Sequence, residues 1–331
     1  MDDELVKFIF DGMPVRGMLV RLSGSWKEVV ARRANAGDAF PRPVRMLLGE
    51  MAAASLLMQA NIRFNGALVL QVFGDGPVKL VVAEAQPDLA FRVTAKVVGD
   101  VADDARLEAM LNVHGQGRCA ITLDPADKRA GQQPYQGVVA LHGDHREPLQ
   151  ELAAVLEHYM LQSEQLDTRL ILAATDEMAA GLLIQRMPVQ GVGNLEGALE
   201  GAPGRRNEDE IGINEGYNRI ALLAATLTRD ELLDLDADTL LRRLFWEEPL
   251  RRFAPTPGEP APHFECRCSR ERVGSMLKGL GRPEIDGIVT EQGRVEIGCD
   301  FCGTKYHFDP VDVGHLFTAE LDQPPGSAAR H

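Results

Sequence analysis

Four of the five cysteines, Cys266, Cys268, Cys299 and Cys302, fall within 37 positions near the C-terminal end of the 331-residue chain. Their order is Cys266-x-Cys268, 30 intervening residues, then Cys299-x-x-Cys302. Two close pairs separated by a stretch long enough to fold back can deliver four thiolates to one tetrahedral Zn²⁺. The second pair lies in CDFCGTKYHF, where Gly303 directly follows Cys302. Glycine tolerates the positive φ of the tight turn that aims backbone N–H groups at sulfur. A Cys-x-Cys first pair is less common than Cys-x-x-Cys, so an alternative ligand set replaces one thiolate with His263 or His307. Clustered cysteines in a reducing compartment point to metal or redox chemistry more often than to structural disulfides. Oxidants attack thiolates, the form that zinc holds, so disulfide formation would remove the ligands and eject the metal.

The segments that must position these thiols predict an α+β protein. Its plan is an N-terminal mixed sheet/helix domain, a helical linker and a small C-terminal zinc-binding domain. Residues 1–192 form the first part. Pro43–Ala60 is helical, with Gly49 as its one breaker. Ala67–Phe73 and Val78–Ala85 flank the turn Gly74-Asp75-Gly76-Pro77 as a hairpin. Leu89–Val97, Gly117–Asp124 and Gln136–Leu141 are further strands. Leu152, Val155, Leu156, Tyr159 and Met160 mark a helix, and Thr168–Ala174 with Leu182–Met187 form a last hairpin. Strands grouped together, rather than alternating with helices, favour α+β over a doubly wound sheet.

Residues 193–253 differ in composition. From Asn194 to Pro262 there are 14 acidic residues, 8 Arg and no Lys. The polar, Gly-rich GNLEGALEGAPGRRNEDE is a loop. Beyond it Ile213, Tyr217, Ile220, Ala224 and Leu227 share a helical face. Thr228 with Glu231 is a capping box opening a second helix. Asp238 is expected to cap a third, which carries Leu240, Leu241, Leu244 and Phe245. Helices this short are unstable alone, so their stripes must dock on something. Residues 254–262, APTPGEPAP, hold four prolines in nine positions and form a stiff hinge. Residues 263–318 are the cysteine module, with Ser269 capping a helix to Leu280, a hairpin of Arg294–Gly298 and Lys305–Phe308, and Asp309-Pro310 opening another helix. Residues 319–331 are a tail.

Charge excludes some functions. The net charge is −14, with pI about 5.1, and such a chain is repelled by phosphate backbones and anionic membranes. The module itself, His263–Phe317, has 9 acidic and 7 basic side chains. The best apolar run, Met51–Met58, is far short of the roughly 20 residues needed to span a bilayer. The start, MDDELVKFIF, lacks a basic n-region and a long apolar core, so cytoplasm is the expected location. No phosphate-loop, nucleophile-elbow or zincin motif occurs, so neither enzyme activity nor a nucleotide is expected.

FECRCSRERV and CDFCGTKYHFD, with SEQLDTRLIL, FGDGPVKL and YQGVVAL in the same order, resemble the redox-regulated holdase chaperones, the family of the 33-kDa heat-shock protein. The resemblance covers nearly the whole chain. It implies a cytosolic protein that is inactive when reduced and loaded with one Zn²⁺ on Cys266, Cys268, Cys299 and Cys302. Oxidative stress would form the disulfides Cys266–Cys268 and Cys299–Cys302, release zinc and unfold the linker. The protein would then hold unfolding clients without ATP. Four cysteines allow three connectivities, and proximity after metal loss independently favours this one. The resemblance also implies dimerisation on activation. The linker stripe Ile213, Tyr217, Ile220, Leu227, Leu240, Leu244 and Phe245 is the expected client-binding or switch surface.

Other features have plainer readings. Cys119, in GRCAITLD, reads as a buried strand residue. His142 and His145 in HGDH read as a polar turn. GVGNLEG misses the dinucleotide spacing, and GDGP is a turn. The Met46–Met58 run reads as core, with an adaptable client surface as the alternative. Two rival functions remain: a thiol–disulfide oxidoreductase using Cys299-x-x-Cys302, and a zinc-module nucleic-acid-binding protein. Dithiol turnover and salt-dependent RNA binding would separate them.

Overall fold

Buried residues alternate along strands such as Glu4–Phe10 and Gly66–Phe73, whereas Ala179–Arg186 is buried at every position. In the computed structural model, residues 3–62, 64–127, 133–187, 214–254 and 258–318 are described. The chain divides into two units, residues 1–31 with 39–265 and residues 32–38 with 266–331. The elements run β1 Glu4–Phe10, β2 Val15–Leu22, α1 Gly24–Asn35, α2 Arg42–Asn61, β3 Gly66–Phe73, β4 Val78–Ala85, β5 Ala90–Val97 and α3 Leu107–Leu111. There follow β6 Arg118–Pro125, β7 Tyr135–Ala140, α4 Leu152–Glu164, β8 Thr168–Ala174 and β9 Ala179–Arg186. Then come α5 Glu215–Ala224, α6 Arg229–Asp234, α7 Ala237–Phe245, β10 Leu250–Arg252 and β11 His263–Phe264.

One sheet has the order β10-β1-β2-β9-β8 and the other β11-β5-β4-β3-β6-β7. All pairings are antiparallel except β11 on β5. Helix α2 packs between the two sheets and buries 14 of its 20 residues, so it is a core helix covered on most sides rather than an amphipathic surface one. Gly49 is there for space: a Cβ on it would lie 2.5 Å from the Ala174 Cβ and 3.2 Å from the Ala179 Cβ. The grouped strands make the fold α+β, as expected.

Most predicted elements are present within a residue or two, and the second strand of the last hairpin starts three residues earlier, at Ala179. Two early elements had a clear signal that the sequence reading does not use. Val6, Phe8 and Phe10 alternate as buried residues on β1, and Asp11-Gly12, with Gly12 at φ 81°, turns the chain into β2. The Asp75 carboxylate in the GDGP turn accepts from the backbone N–H groups of His114 and Gln116 and so ties the turn to its own chain. Cys119 is fully buried on β6, and burial pushes its thiol up to about 12. The HGDH segment is a tight turn closed by Gly143 N–H on the Glu147 carbonyl and by His145 N–H on the Glu147 carboxylate. Met51 and Met58 are core residues.

The second unit contains α8 Arg270–Leu280, α9 Arg282–Gln292, the hairpin β12 Val295–Gly298 with β13 Lys305–Phe308, and α10 Pro310–Phe317. Ser269 caps α8, and Asp309 caps α10 in a box with Asp312. Among the described residues its fully buried apolar cluster is Leu277, Ile285, Val295, Phe308 and Val313, a core too small to hold such a module without a staple. No helix among the described residues is long and apolar enough to cross a membrane.

Candidate metal centre

The β12–β13 hairpin and the strap preceding α8 bring the two cysteine pairs together. Cys299 follows β12 directly, and its N–H donates to the Thr304 carbonyl at 2.9 Å. The Gly303 N–H closes the knuckle on the Cys299 carbonyl at 2.8 Å, with Gly303 at φ 71°. A side chain at that φ would be strained, which is why glycine stands there. Cys266 and Cys268 arrive from the extended strap, and the Ser269 cap ends it.

The four Sγ atoms lie within 4.8 Å of one another. Cys266 and Cys299 approach to 3.6 Å, and Cys268 and Cys302 to 3.4 Å. A tetrahedron with Zn–S bonds of about 2.3 Å has S···S edges of about 3.8 Å, so the donor set fits a closed, all-sulfur zinc site. The sulfurs have outer partners: Tyr306 donates its hydroxyl to Cys268 Sγ at 3.1 Å, and Thr304 Oγ1 is 3.1 Å from Cys302 Sγ. Such contacts orient ligands and tune their basicity. Burial pushes the Cys266 and Cys299 thiols up. Burial acts the same way on Cys302, but hydrogen bonds with Thr304, Cys268 and Cys266 together outweigh it and bring the thiol down to about 7. Arg270 braces the site, covering the Phe308 ring at 4.3 Å, donating to the His307 carbonyl and pairing with Asp312. His307 pairs with Glu296, and His263 groups with Asp88 and Glu265. Neither belongs to the thiol group, so the histidine-substituted ligand set has no geometric support. Sequence reading named the four cysteines; it did not name Tyr306, Thr304 or Arg270, which carry no spacing signal.

The segment ahead of the module docks as its stripes require. Tyr217, Ile220, Leu227, Leu240, Leu244 and Phe245 are buried in one cluster with Val6, Phe8, Phe10, Val15, Leu19, Leu182 and Ile184. They cover the face of the first sheet that is turned away from α2. Ile213 lies outside the described residues. Phe245 meets Phe10 edge-to-face with ring centroids 5.0 Å apart and tilts on Phe8 at 6.2 Å. The Thr228–Glu231 capping box is present. The third helix is capped by Asp236, which accepts from Thr239 N–H, and not by Asp238. Leu235 is extended, at φ −80° and ψ 144°, so the chain is ready to restart one residue later and Asp238 falls inside the first turn. The chain then passes from β10 on one sheet to β11 on the other; residues 255–257 of the expected hinge lie outside the described residues.

Two arginines fasten α6. Arg21, on β2 and 2% exposed, donates to the carbonyls of Leu232 and Leu233 at 3.0 Å and to that of Leu235. It thus serves carbonyls that the end of a six-residue helix leaves open. Arg229 donates to the Ala174 carbonyl and faces Glu50 of α2 at 3.6 Å. Burial raises the Glu50 carboxyl from 4.5 to about 7, and Arg229 offsets only part of that. An acid whose pKa is higher folded than unfolded keeps its proton longer in the folded state. Its contribution to stability is therefore lost as pH rises from about 4.5 to about 7 and is constant above that. Glu50→Gln is expected to flatten the fall in Tm across that window and to raise Tm at neutral pH, read by circular dichroism. An unchanged slope would show that Arg229 keeps Glu50 ionised.

The sequence model of the Hsp33 protein family matches residues 3–309. The chain is 45% identical over 320 residues to a 33 kDa chaperonin of Chromobacterium violaceum, covering 96% of this chain and 95% of that one. It is 42% identical over 332 residues to a 33 kDa chaperonin of Methylobacillus flagellatus, covering 100% and 99%. The crystal structure of a 33 kDa chaperonin from Thermotoga maritima superposes with a TM-score of 0.69 at 20% identity, covering 95% of this chain and 97% of that one, a likeness of fold.

Proposed function

This chain belongs to the Hsp33 protein family, and from that premise we propose that it is a redox-regulated, ATP-independent holdase. In the reduced form Cys266, Cys268, Cys299 and Cys302 hold one Zn²⁺. The metal supplies the folding free energy that the small apolar cluster of the module lacks, an apparent contribution of roughly 10–16 kcal/mol in small zinc peptides. Peroxide takes two electrons from each thiol pair; each oxidation forms one S–S bond and reduces the peroxide to water. With its ligands consumed the site releases zinc, the module loosens, and residues 193–253 act as a linker that leaves the first sheet. The exposed apolar surface, including Tyr217, Ile220, Leu227, Leu240, Leu244 and Phe245 and the sheet face beneath them, then holds unfolding clients in the cytoplasm. Dimerisation on activation belongs to the same proposal. The observation that carries it is the convergence of four thiols, with no carboxylate or imidazole in the group, in a module with so small a core.

The oxidoreductase reading is weaker. Cys299-x-x-Cys302 sits in a hairpin knuckle, not at the helix N-terminus that lowers the attacking thiol in thioredoxin-like sites. The acidic charge weighs against nucleic acid.

Sulfurs of different pairs approach to 3.6 and 3.4 Å, so the folded module also places cross-pair bridges within reach. The proposed pairing Cys266–Cys268 and Cys299–Cys302 is the one that an opened module favours, because neighbours in the chain stay close once the metal has left. Peroxide-treated protein is expected to suppress client aggregation while reduced, zinc-loaded protein does not, with zinc released in step and Cys119 still a thiol. Peptide mass mapping checks the pairing. A dominant Cys266–Cys299 or Cys268–Cys302 bridge would show that oxidation precedes opening, and aggregation suppression equal in both states would end the redox-switch reading.

A further inference from the structure

A second set of metal-binding side chains lies at the short parallel pairing of β11 on β5. Asp88, His263 and Glu265 place a carboxylate oxygen, a ring nitrogen and a second carboxylate oxygen within 4.8 Å of one another. The backbone fixes all three. His263 stands opposite Ala90, two residues after Asp88. The His263 N–H donates to the Leu89 carbonyl at 3.2 Å, and the Glu265 N–H donates to the Phe91 carbonyl at 3.1 Å. Residues two apart on an extended strand project from one face, so the His263 and Glu265 side chains rise together beside Asp88.

The imidazole supplies an independent indication from outside the trio. His263 Nδ1 is 3.0 Å from the Ala261 carbonyl. A carbonyl only accepts, so Nδ1 carries the proton, and in the neutral ring Nε2 presents its lone pair. Nε2 stands 3.8 Å from Glu265 Oε2, beyond hydrogen-bond range. A ring that donates one N–H to a backbone carbonyl and turns the other nitrogen toward a carboxylate has the outer-shell arrangement of a metal-bound histidine. The Ala90 N–H holds Asp88 Oδ1 at 3.2 Å and so aims the other carboxylate.

We propose that Asp88, His263 and Glu265 form a second divalent-cation site that clamps β11 to β5. One imidazole with two carboxylates suits a borderline ion such as Zn²⁺ better than Ca²⁺ or Mg²⁺, which favour all-oxygen shells. Water completes the shell, since the groups are solvent-exposed, and the site is weaker than a four-thiolate one. Its ligands do not undergo the thiol oxidation that empties a cysteine site. The clamp therefore keeps residues 263–265 on the sheet when the cysteines oxidise and sets the C-terminal limit of linker release. The site itself stands apart from the redox-switch reading; only that consequence rests on it.

The test is equilibrium dialysis of the full-length, reduced protein against rising buffered Zn²⁺, counting bound zinc by elemental analysis. Wild type is expected to bind one further, weaker equivalent beyond the thiol-held one. His263→Gln should abolish it and Asp88→Asn weaken it by about tenfold or more. Both variants should keep the equivalent released by a thiol-blocking reagent, which also shows that they are folded. Hydrogen exchange at residues 263–265 should slow in wild type as the second equivalent binds. Saturation at the thiol-held equivalent alone, or a second equivalent untouched by both substitutions, overturns the proposal. Loss of the thiol-releasable equivalent in wild type would instead count against the cysteine site, so the two failures are distinguishable.

Discussion

Cys268→Ser is expected to lose zinc affinity by more than about a hundredfold and to leave residues 266–318 without stable exchange protection. Outer-shell partners of a metal site are worth about 10–100-fold in affinity, so a directly bound thiolate must be worth more. The four thiols form a closed group, and neither His307, paired with Glu296, nor His263, turned toward Asp88 and Glu265, replaces the missing sulfur. Five fully buried apolar side chains remain to hold five secondary-structure elements. Burying each contributes about 1.5–3 kcal/mol, while ordering each residue of the module costs about 1–2 kcal/mol in backbone entropy. Without the metal that balance is unfavourable, so loss of zinc and loss of the fold should coincide. Elemental analysis and hydrogen exchange on the same sample decide it. Stoichiometric, tight zinc in Cys268→Ser would end the four-thiolate model.

The second large effect belongs to Arg21, which reaches from the first sheet to three carbonyls at the end of α6. Leaving a buried polar group without its partner costs about 1–3 kcal/mol. Arg21→Ala does so at several carbonyls in a helix of six residues, which has little stability of its own. Against a total domain stability of about 5–15 kcal/mol, that is enough to release α6, and α5 and α7 share its apolar cluster. The reduced, zinc-loaded variant is expected to lose exchange protection across residues 214–245 while β3, β4 and β6 keep theirs. It should also suppress client aggregation without peroxide. Arg21→Lys should restore protection in part, because an ammonium can serve fewer of the three carbonyls than a guanidinium fork. Unchanged exchange across residues 214–245 in Arg21→Ala would show that the apolar stripe alone holds the segment.

The features legible in the sequence are the local ones. The cysteine knuckle needs two cysteines, a glycine and a turn within five residues, and that turn forms at Gly303. The Ser269, Asp309 and Thr228 caps and the β3–β4 hairpin are likewise set by neighbours in the chain. Asp236 and Asp238 show the limit of that reading. Both have suitable chemistry, and only the extended backbone at Leu235 selects Asp236 as the cap.

The sequence alone determined that four thiolates converge, that the segment after residue 193 carries apolar stripes too short to stand unaided, and that the strands are grouped in an α+β chain. Only the tertiary structure decided what covers those stripes: Phe8 and Phe10 on the first strand, with Arg21 reaching up from the second. It also decided that the chain passes from one sheet to the other ahead of the cysteines, that sulfurs of different pairs come within 3.6 Å, and that His263 lies among carboxylates. Each of these is a meeting of residues far apart in the chain. Chain-local propensities fix which face of an element is apolar; which surface it meets is set by packing across the whole core, and that is expressed only in the folded protein.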